Sequence, residues 1–425
     1  MKKENRQRLD ALVRLTKKLA MIALLTPLKI FPVKKNRVML NNDLSAAYSD
    51  SPKAVAEQLV RARPGQLDIV FAVKDPSAYP EAAAKGIRFV RSNSPRYFYE
   101  TMTSQVFLTN SGGISFVPFR KSQYVINTWH GGGAYKKGGV HTYGNTFLFR
   151  QDLKLAERKT DVYLSSCRRF TEVVGPSILM PTEKFWEIGL PRNDELLHED
   201  PERRLQLREK LGLRGDEKLV LYAPTYRRVD DNPFKDPVAI SYGIDCERVC
   251  EALRKRFGGV WRFAFRLHPA VTNREMLPSG EYIMDLSSYE DMQELLCAAD
   301  VMINDFSSSM WDFMLTDRPS FMFAVDLEHY VATTDVYTPV SEWPFPKAVN
   351  NDELERNILE FDEEKYAAAC KRHYEALGGC ETGKATQLLC ERIYERCFLK
   401  NRTGDAHHEH SIGFGRRNWP QDGEK

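Results

Sequence analysis

The 425-residue chain lacks several things that would place it in a special class. None of its eight cysteines (167, 246, 250, 297, 370, 380, 390 and 397) forms a CxxC pair or a metal-ligand spacing. Scattered in this way, they argue for free thiols in a reducing compartment and against a disulfide framework. In the N-terminal segment the longest apolar run, from Leu19 to Leu25, is far short of the about 20 residues that span a bilayer. There is no internal repeat and no low-complexity tract, and 25 Gly with 22 Pro rule out a collagen-like or mainly disordered chain. The net charge is only +3, so the body has no overall bias toward nucleic acid. What is present, 42% hydrophobic and 28% charged residues, is the composition of a globular protein long enough for two or three domains.

The charge is unevenly spread. Residues 1–37 carry eleven Lys/Arg and two acids, +9 locally, which leaves about −6 for the remainder. Within this segment Leu9, Leu12, Val13, Leu19, Ala20, Ile22 and Ala23 approach a helical period, with Arg14, Lys17 and Lys18 on the other side. Pro27 and the following Leu-Lys-Ile-Phe offer no small-residue cleavage site for a signal peptide. The pattern predicts a basic amphipathic helix lying on an anionic membrane surface, with a helix packed on the protein's own body as the plain alternative.

Beyond residue 36, short apolar runs alternate with helical patterns. Strands are expected at 37–42, 68–74, 86–90, 105–109, 124–128 and 162–165, then at 218–223, 262–267, 282–286, 301–304 and 320–325. Helices are expected at 51–63, 95–103, 246–256, 289–299 and 307–315. Such alternation predicts an α/β protein with parallel sheets. Two sets divided near the charged stretch 198–217 suggest a membrane-contact segment (1–35), two doubly wound domains facing each other (36–197 and 198–400) and a flexible tail (401–425). In the tail, His407, His408 and His410 read as solvated rather than metal-binding. Ligands of doubly wound sheets sit beyond the carboxyl ends of the strands, so residues just past each strand carry the functional expectation.

Three stretches stand at such ends. In NTWHGGGAYKKGG (127–139), His130 follows a strand and opens onto Gly131 and two more glycines, with Lys136 close behind. An imidazole there is suited to taking a proton from a hydroxyl, and glycines let backbone amides approach an anion; the plain alternative is a glycine turn with a surface histidine. In FRLHP (265–269), Arg266 and His268 lie two apart and can point the same way toward phosphate oxygens, or simply cap a strand stopped by Pro269. In NDFSSSMWDF (304–313), Asp305 precedes Ser307, Ser308 and Ser309 at a helix start, where free amides and hydroxyls favour an anion. Thr225 and Arg227 in YAPTYR, Arg192 in GLPRND, and Asp326 and Glu328 in DLEHY occupy similar exits, the last two as candidates for a ribose diol. The sequence shows no acidic cluster dedicated to a metal. It requires no cofactor, and leaves open a divalent cation accompanying a pyrophosphate.

Taken in order, WHG, GLPRND, YAPTYR, RLHP, NDFSSSMWDF and RPSFMFAVDLEHY resemble the motif series of the CDP-glycerol glycerophosphotransferases, the teichoic acid primases and polymerases of Gram-positive bacteria. The resemblance runs from Arg37 to the Gly383-Lys384-Ala385 stretch. It implies a GT-B fold with the site between two Rossmann-like domains, and peripheral attachment to the cytoplasmic face of the cell membrane. It also implies transfer of an alditol phosphate, foremost glycerol phosphate, from a CDP-alditol to a hydroxyl of a lipid-linked polyol or glycan acceptor, with release of CMP. The family's catalytic histidines fall on His130 and His268, and its pyrophosphate-binding serines on Ser307 and Ser308. The chain departs from the family where Gly131 to Gly133, Ala134 and Tyr135 follow Trp-His, and where DFSS replaces DYSS. Both departures leave the pathway, teichoic acid or capsule, open.

On this reading His130 deprotonates the acceptor hydroxyl for in-line attack on the β-phosphorus. Arg266, His268, Ser307 to Ser309 and Arg227 stabilise the pyrophosphate and the leaving CMP. A nucleotide-sugar glycosyltransferase and a catalytically silent, membrane-bound polymer-binding homologue are the competing readings.

Overall fold

The computed structural model describes residues 2–198, 200–225, 243–267 and 277–398, and of residues 2–11, 113 and 114 only the backbone. Arg227, His268 and the tail histidines His407, His408 and His410 lie outside the described residues.

Two parallel sheets organise the chain. The first holds β1 (Lys34–Asn41), β2 (Asp68–Val73), β3 (Ile87–Arg91), β4 (Ser104–Thr109), β5 (Tyr124–Asn127), β6 (Val162–Ser165) and β7 (Phe185–Glu187), in the order β3-β2-β1-β4-β5-β6-β7. The second holds β8 (Glu217–Tyr222), β9 (Val260–Phe265), β10 (Ile283–Asp285), β11 (Val301–Asn304), β12 (Ser320–Phe323) and β13 (Lys347–Ala348), in the order β10-β9-β8-β11-β12-β13. The central strands are buried nearly end to end: Val38–Leu40, Ile69–Val73, Val106–Leu108, Leu219–Tyr222 and Val301–Ile303 are all in the core. Strands covered by helices on both faces need continuous apolar runs of this kind rather than alternation, which is why they were legible as short apolar blocks. The helices between them start where the sequence supplies caps; Ser94, Asp245, Asp291 and Asn350 each accept a hydrogen bond from a first-turn amide.

Strand order reverses between β1 and β4 in the first sheet and between β8 and β11 in the second. At such switch points the flanking connections leave on opposite faces, opening a crevice past the carboxyl ends. The segments after β4, β8 and β11 therefore decide the site.

Several elements depart from the sequence expectation. Strands β7 and β13 are too short, at three and two residues, to leave a pattern. The charged stretch read as a divider contains the helix Pro201–Lys210, capped by Asp200. The expected second domain, 198–400, does not keep its own end: the helix Ala385–Phe398 returns to the first sheet. There Cys390 lies under Val55, and Ala385, Leu389 and Ile393 join the core of β1, β2 and β4.

The N-terminal segment is one helix, α1 (Lys2–Leu25), and its faces are turned otherwise than the pattern suggested. Lys18 pairs with Asp152, and Arg14 lies over the Phe149 ring, on the helix Phe147–Glu157. Part of the basic side thus docks on the body, while Leu12, Val13, Leu19 and Leu24 face solvent. A buried carboxylate partner attracts an ammonium group more strongly than periodicity alone conveys. No helix among the described residues is long and apolar enough to cross a membrane.

Candidate active site

His130 leaves the end of β5 through a sharp turn. Asn127 accepts the Trp129 amide proton at 2.8 Å, and Trp129 takes a left-handed φ of 58°, an uncommon conformation for a bulky residue. The turn swings the imidazole toward the exit of β4, where its Nδ1 meets the carbonyl oxygen of Asn110 at 2.8 Å. A carbonyl only accepts, so Nδ1 carries the proton and Nε2 of the neutral ring keeps its lone pair. No described residue hydrogen-bonds to Nε2. The ring is half-buried and leans on Trp129 at 4.1 Å between centroids. Burial lowers its pKa below the ordinary 6.5; the Asn110 carbonyl and Asp50 oppose that shift, Arg192 reinforces it, and Asp43 opposes it.

The three glycines that follow serve close packing more than an anion cradle. A Cβ on Gly131 would lie 2.9 Å from the Ser308 hydroxyl, and one on Gly132 only 1.9 Å from Trp311 Cδ1. The Gly133 amide donates to Ser166 Oγ at 2.9 Å. The loop thus crosses from the first sheet onto the helix Ser309–Met314 of the second. It is then strapped down: Thr338 donates to the Ala134 carbonyl at 2.6 Å, Tyr337 N–H to that of Tyr135 at 2.6 Å, and Lys137 N–H to that of Asp335 at 3.0 Å.

The serine turn past β11 divides its labour. Ser309 accepts from Asn304 Nδ2 at 2.7 Å and donates to Ser307 Oγ at 3.0 Å, so it ties the turn together rather than facing a ligand. Ser308 makes no side-chain cap, and its hydroxyl stands beside Gly131. Asp305 is buried: its carboxylate accepts both the amide and the hydroxyl of Thr225 at 2.9 Å, locking the exit of β8 to that of β11. Arg266 continues β9, and its Nη1 donates to the carbonyls of Ser287 at 2.8 Å and Leu267 at 3.1 Å. Asp326 begins the short helix Leu327–Thr333 and Glu328 is exposed on it. From the same helix Tyr330 stacks on Phe306 at 3.4 Å, and the Lys136 ammonium lies 5.6 Å from the centre of the Tyr330 ring.

Arg192 is not at an open strand exit but inside the junction, 8% exposed. Its Nη1 donates to the His130 carbonyl at 2.8 Å and lies 3.3 Å from Asp50 Oδ2, while Nη2 donates to Asp312 Oδ2 at 2.7 Å. Around this pair Asn193 donates to Asp312 at 3.0 Å and to Glu381 at 2.8 Å, Gln293 to Asp312 at 3.3 Å, and Trp311 Nε1 to Glu381 at 3.3 Å. Burial raises the pKa of Asp312 and pushes Glu381 up to about 8, with the charge of Asp312 adding to the latter.

The fold therefore brings together His130, Gly131, Ser308 and, through Arg192, Asp312; Thr225 and Asp305 line the adjoining switch point. Sequence reasoning overlooked Asn110, Asp43, Asp50, Asp312 and Glu381. Asn110 had a signal, since it directly follows the strand 105–109, and Asp312 is one helical turn past Ser308. Glu381 had none. Among the described residues no group of three or more His, Cys, Asp or Glu is arranged to hold a metal ion.

Comparison with known proteins gives one family model, CDP-glycerol:poly(glycerophosphate) glycerophosphotransferase, matched over residues 24–395. A teichoic acid glycerol-phosphate transferase of Staphylococcus aureus is 27% identical over 85% of this chain and 93% of its own length. A teichoic acid poly(glycerol phosphate) polymerase of Staphylococcus epidermidis is 27% identical over 85% of this chain, but the chain spans only about half, 51%, of that relative. A solved structure of the wall teichoic acid polymerase TagF, soaked with CDPG, is similar with a TM-score of 0.75 and 25% identity, covering 93% of this chain and 98% of that one.

Proposed function

The chain belongs to the CDP-glycerol:poly(glycerophosphate) glycerophosphotransferase family, and from that premise we propose that it transfers glycerol phosphate from CDP-glycerol to a hydroxyl of a lipid-linked acceptor, releasing CMP, in the synthesis of teichoic acid or a related surface polymer. The observation that carries the reading is the seating of the His130 loop on the serine turn, with Gly131 against the Ser308 hydroxyl.

The acceptor hydroxyl approaches His130 Nε2, the only ring nitrogen still open to a proton. As the hydroxyl oxygen bonds to the β-phosphorus, its proton passes to Nε2 and the bond from that phosphorus to the CMP oxygen breaks. In such transfers the protein contributes position and charge compensation rather than covalent chemistry. Ser307 and Ser308 donate to the pyrophosphate, and Thr225, held by Asp305, borders the same crevice. Arg266, Arg227 and His268 complete the donor side, the last as the family's second histidine. Gly131 and Lys136 border the anion. Asp326 and Glu328 serve the ribose diol.

The exposed apolar residues of α1 and the turn after it, among them Leu24 at 69% and Ile30 at 79%, together with neighbouring lysines, support a peripheral contact with an anionic membrane on its cytoplasmic face, where the lipid-linked acceptor is presented.

Incubating the protein with CDP-glycerol, CDP-ribitol and UDP-sugars in the presence of lipid-linked acceptors tests the proposal. CMP release with glycerol phosphate on the acceptor is expected. UDP release from a UDP-sugar without CMP would replace it with the glycosyltransferase reading.

A further inference from the structure

On the reading that His130 is the general base, we infer that Arg192 is its positioning residue: the guanidinium fixes the imidazole-bearing loop to the helix that starts beside Ser308 and keeps a positive charge behind the ring. Neither role was legible in its strand-exit position.

The geometry is that of a two-armed clamp. One arm holds the His130 carbonyl at 2.8 Å and faces Asp50; the other holds Asp312 at 2.7 Å, four residues along the chain from Ser308. A planar guanidinium can bridge two such acceptors at once, whereas an ammonium acts as a single point. Arg192 and Asp312 are 8% and 2% exposed, so neither is placed to touch donor or acceptor. The clamp has its own support: Asn193 and Gln293 both donate to Asp312, so the carboxylate is held in place by the protein's own groups. Arg192 thereby adds a buried, charged tie to the glycine packing and the backbone straps that hold the base on one lobe against the serine turn on the other.

The charges facing His130 come from several elements. Asp43 lies past β1, Asp50 begins α2 (Asp50–Ala62), Asn110 presents its carbonyl past β4, and Arg192 stands in the short turn Pro191–Asn193. Across the junction, Ser308 meets the adjacent Gly131, and Asp312 reaches the ring only through Arg192. Asp43 and Asp50 favour the imidazolium; Arg192 and burial oppose it. Without Arg192 burial alone opposes the two carboxylates, so the ring holds its proton to higher pH than in the wild type, and less of it is a base at neutral pH.

The test compares wild type with Arg192→Gln and Arg192→Lys by two readouts. The first is the titration and tautomer of His130 in 15N-histidine-labelled protein by NMR, with His130→Asn assigning the resonance. The second is the pH dependence of CMP release from CDP-glycerol. In Arg192→Gln the His130 titration and the acid limb of kcat/KM are expected to move together to higher pH, with plateau kcat about 10²-fold lower and donor KM little changed. In Arg192→Lys, which keeps the charge but not the fork, the titration returns toward wild type while kcat stays low.

A folded Arg192→Gln with wild-type titration and wild-type kcat overturns the inference. Should Arg192→Gln not fold, Asp312→Asn and Arg192→Lys decide it: lowered kcat at unchanged donor KM in both supports the clamp, and wild-type kcat in both overturns it. If wild type releases no CMP from any CDP-alditol, the functional reading fails, and the NMR titration still decides whether Arg192 governs the imidazole.

Discussion

A histidine whose Nδ1–H is committed to a carbonyl oxygen has one nitrogen left with which to take a proton. For His130 that commitment is to Asn110, and burial keeps the ring neutral to lower pH than a free imidazole. Two outcomes follow at this scale. His130→Ala should lose about 10²–10⁴-fold in kcat, the usual contribution of one positioned general base, while still binding donor; CMP release and donor titration measure the two separately. The sign of the pH effect is also fixed: the base works above its pKa, and a lowered pKa extends activity downward. The acid limb of kcat/KM should therefore fall below the ordinary histidine value of 6.5, and a limb above that value would show that burial does not govern the ring. The residue type and its place after a strand made His130 legible, because chemistry near neutral pH favours an imidazole. The carbonyl that sets its tautomer comes from Asn110, 20 residues away, and no local pattern announces it.

Elements make stricter demands than single residues here. The loop after His130 lies so close to the helix Ser309–Met314 that glycine is needed at Gly132 for space rather than for φ. Gly132→Ala should force Trp311 or the strap aside, costing about 1–3 kcal/mol, and should lower kcat because the same displacement moves His130 from the serine turn. Thermal unfolding and turnover of the one variant check both; full stability with full activity would show that the contact is not needed. The triple glycine was visible in the sequence as a turn or an anion cradle, and its packing role was not, since the partner Trp311 lies far along the chain. Helix α1 shows the same limit. Its amphipathic period was legible, but Asp152 and Phe149 draw Lys18 and Arg14 inward. Replacing Leu24 and Ile30 together by serine should weaken sedimentation with anionic vesicles at low salt and leave the thermal transition nearly unchanged, because both side chains are exposed. Undiminished vesicle binding would move the membrane contact elsewhere.

At the scale of the whole molecule, the two sheets meet through buried polar groups rather than apolar packing alone. Arg192, Asp312, Asn193, Gln293, Trp311 and Glu381 form one network, and Glu381, at 7% exposure, also accepts the Leu190 amide proton at 2.9 Å. Desolvation holds its carboxyl up to about 8 against an ordinary 4.5, so the folded chain keeps a proton that the unfolded chain has released between those values. Its contribution to stability is thus greatest below about pH 4.5, declines as pH rises through that window, and is level above about 8. Glu381→Gln removes the titration. Relative to wild type it should gain thermal stability as pH is raised from 5 to 8, by an amount on the order of a few kcal/mol or less. A wild-type-to-variant difference that stays constant over that range would place the carboxyl in its ordinary state.

What the sequence determined by itself was everything that depends on near neighbours. Apolar runs with the lengths of doubly buried strands announced two parallel sheets, and residues at strand exits, His130 and the serines of NDFSSSMWDF among them, announced where chemistry belongs. Only the tertiary structure decided which of those residues meet. It set Gly131 against Ser308, committed Ser309 to Asn304, drew Arg192 inward to Asp312, and returned the helix Ala385–Phe398 to the first sheet. The reason is physical. Periodicity and capping act over a few residues, whereas a buried charge has to find its partner wherever the packed chain brings one, here 120 residues away for Arg192 and Asp312.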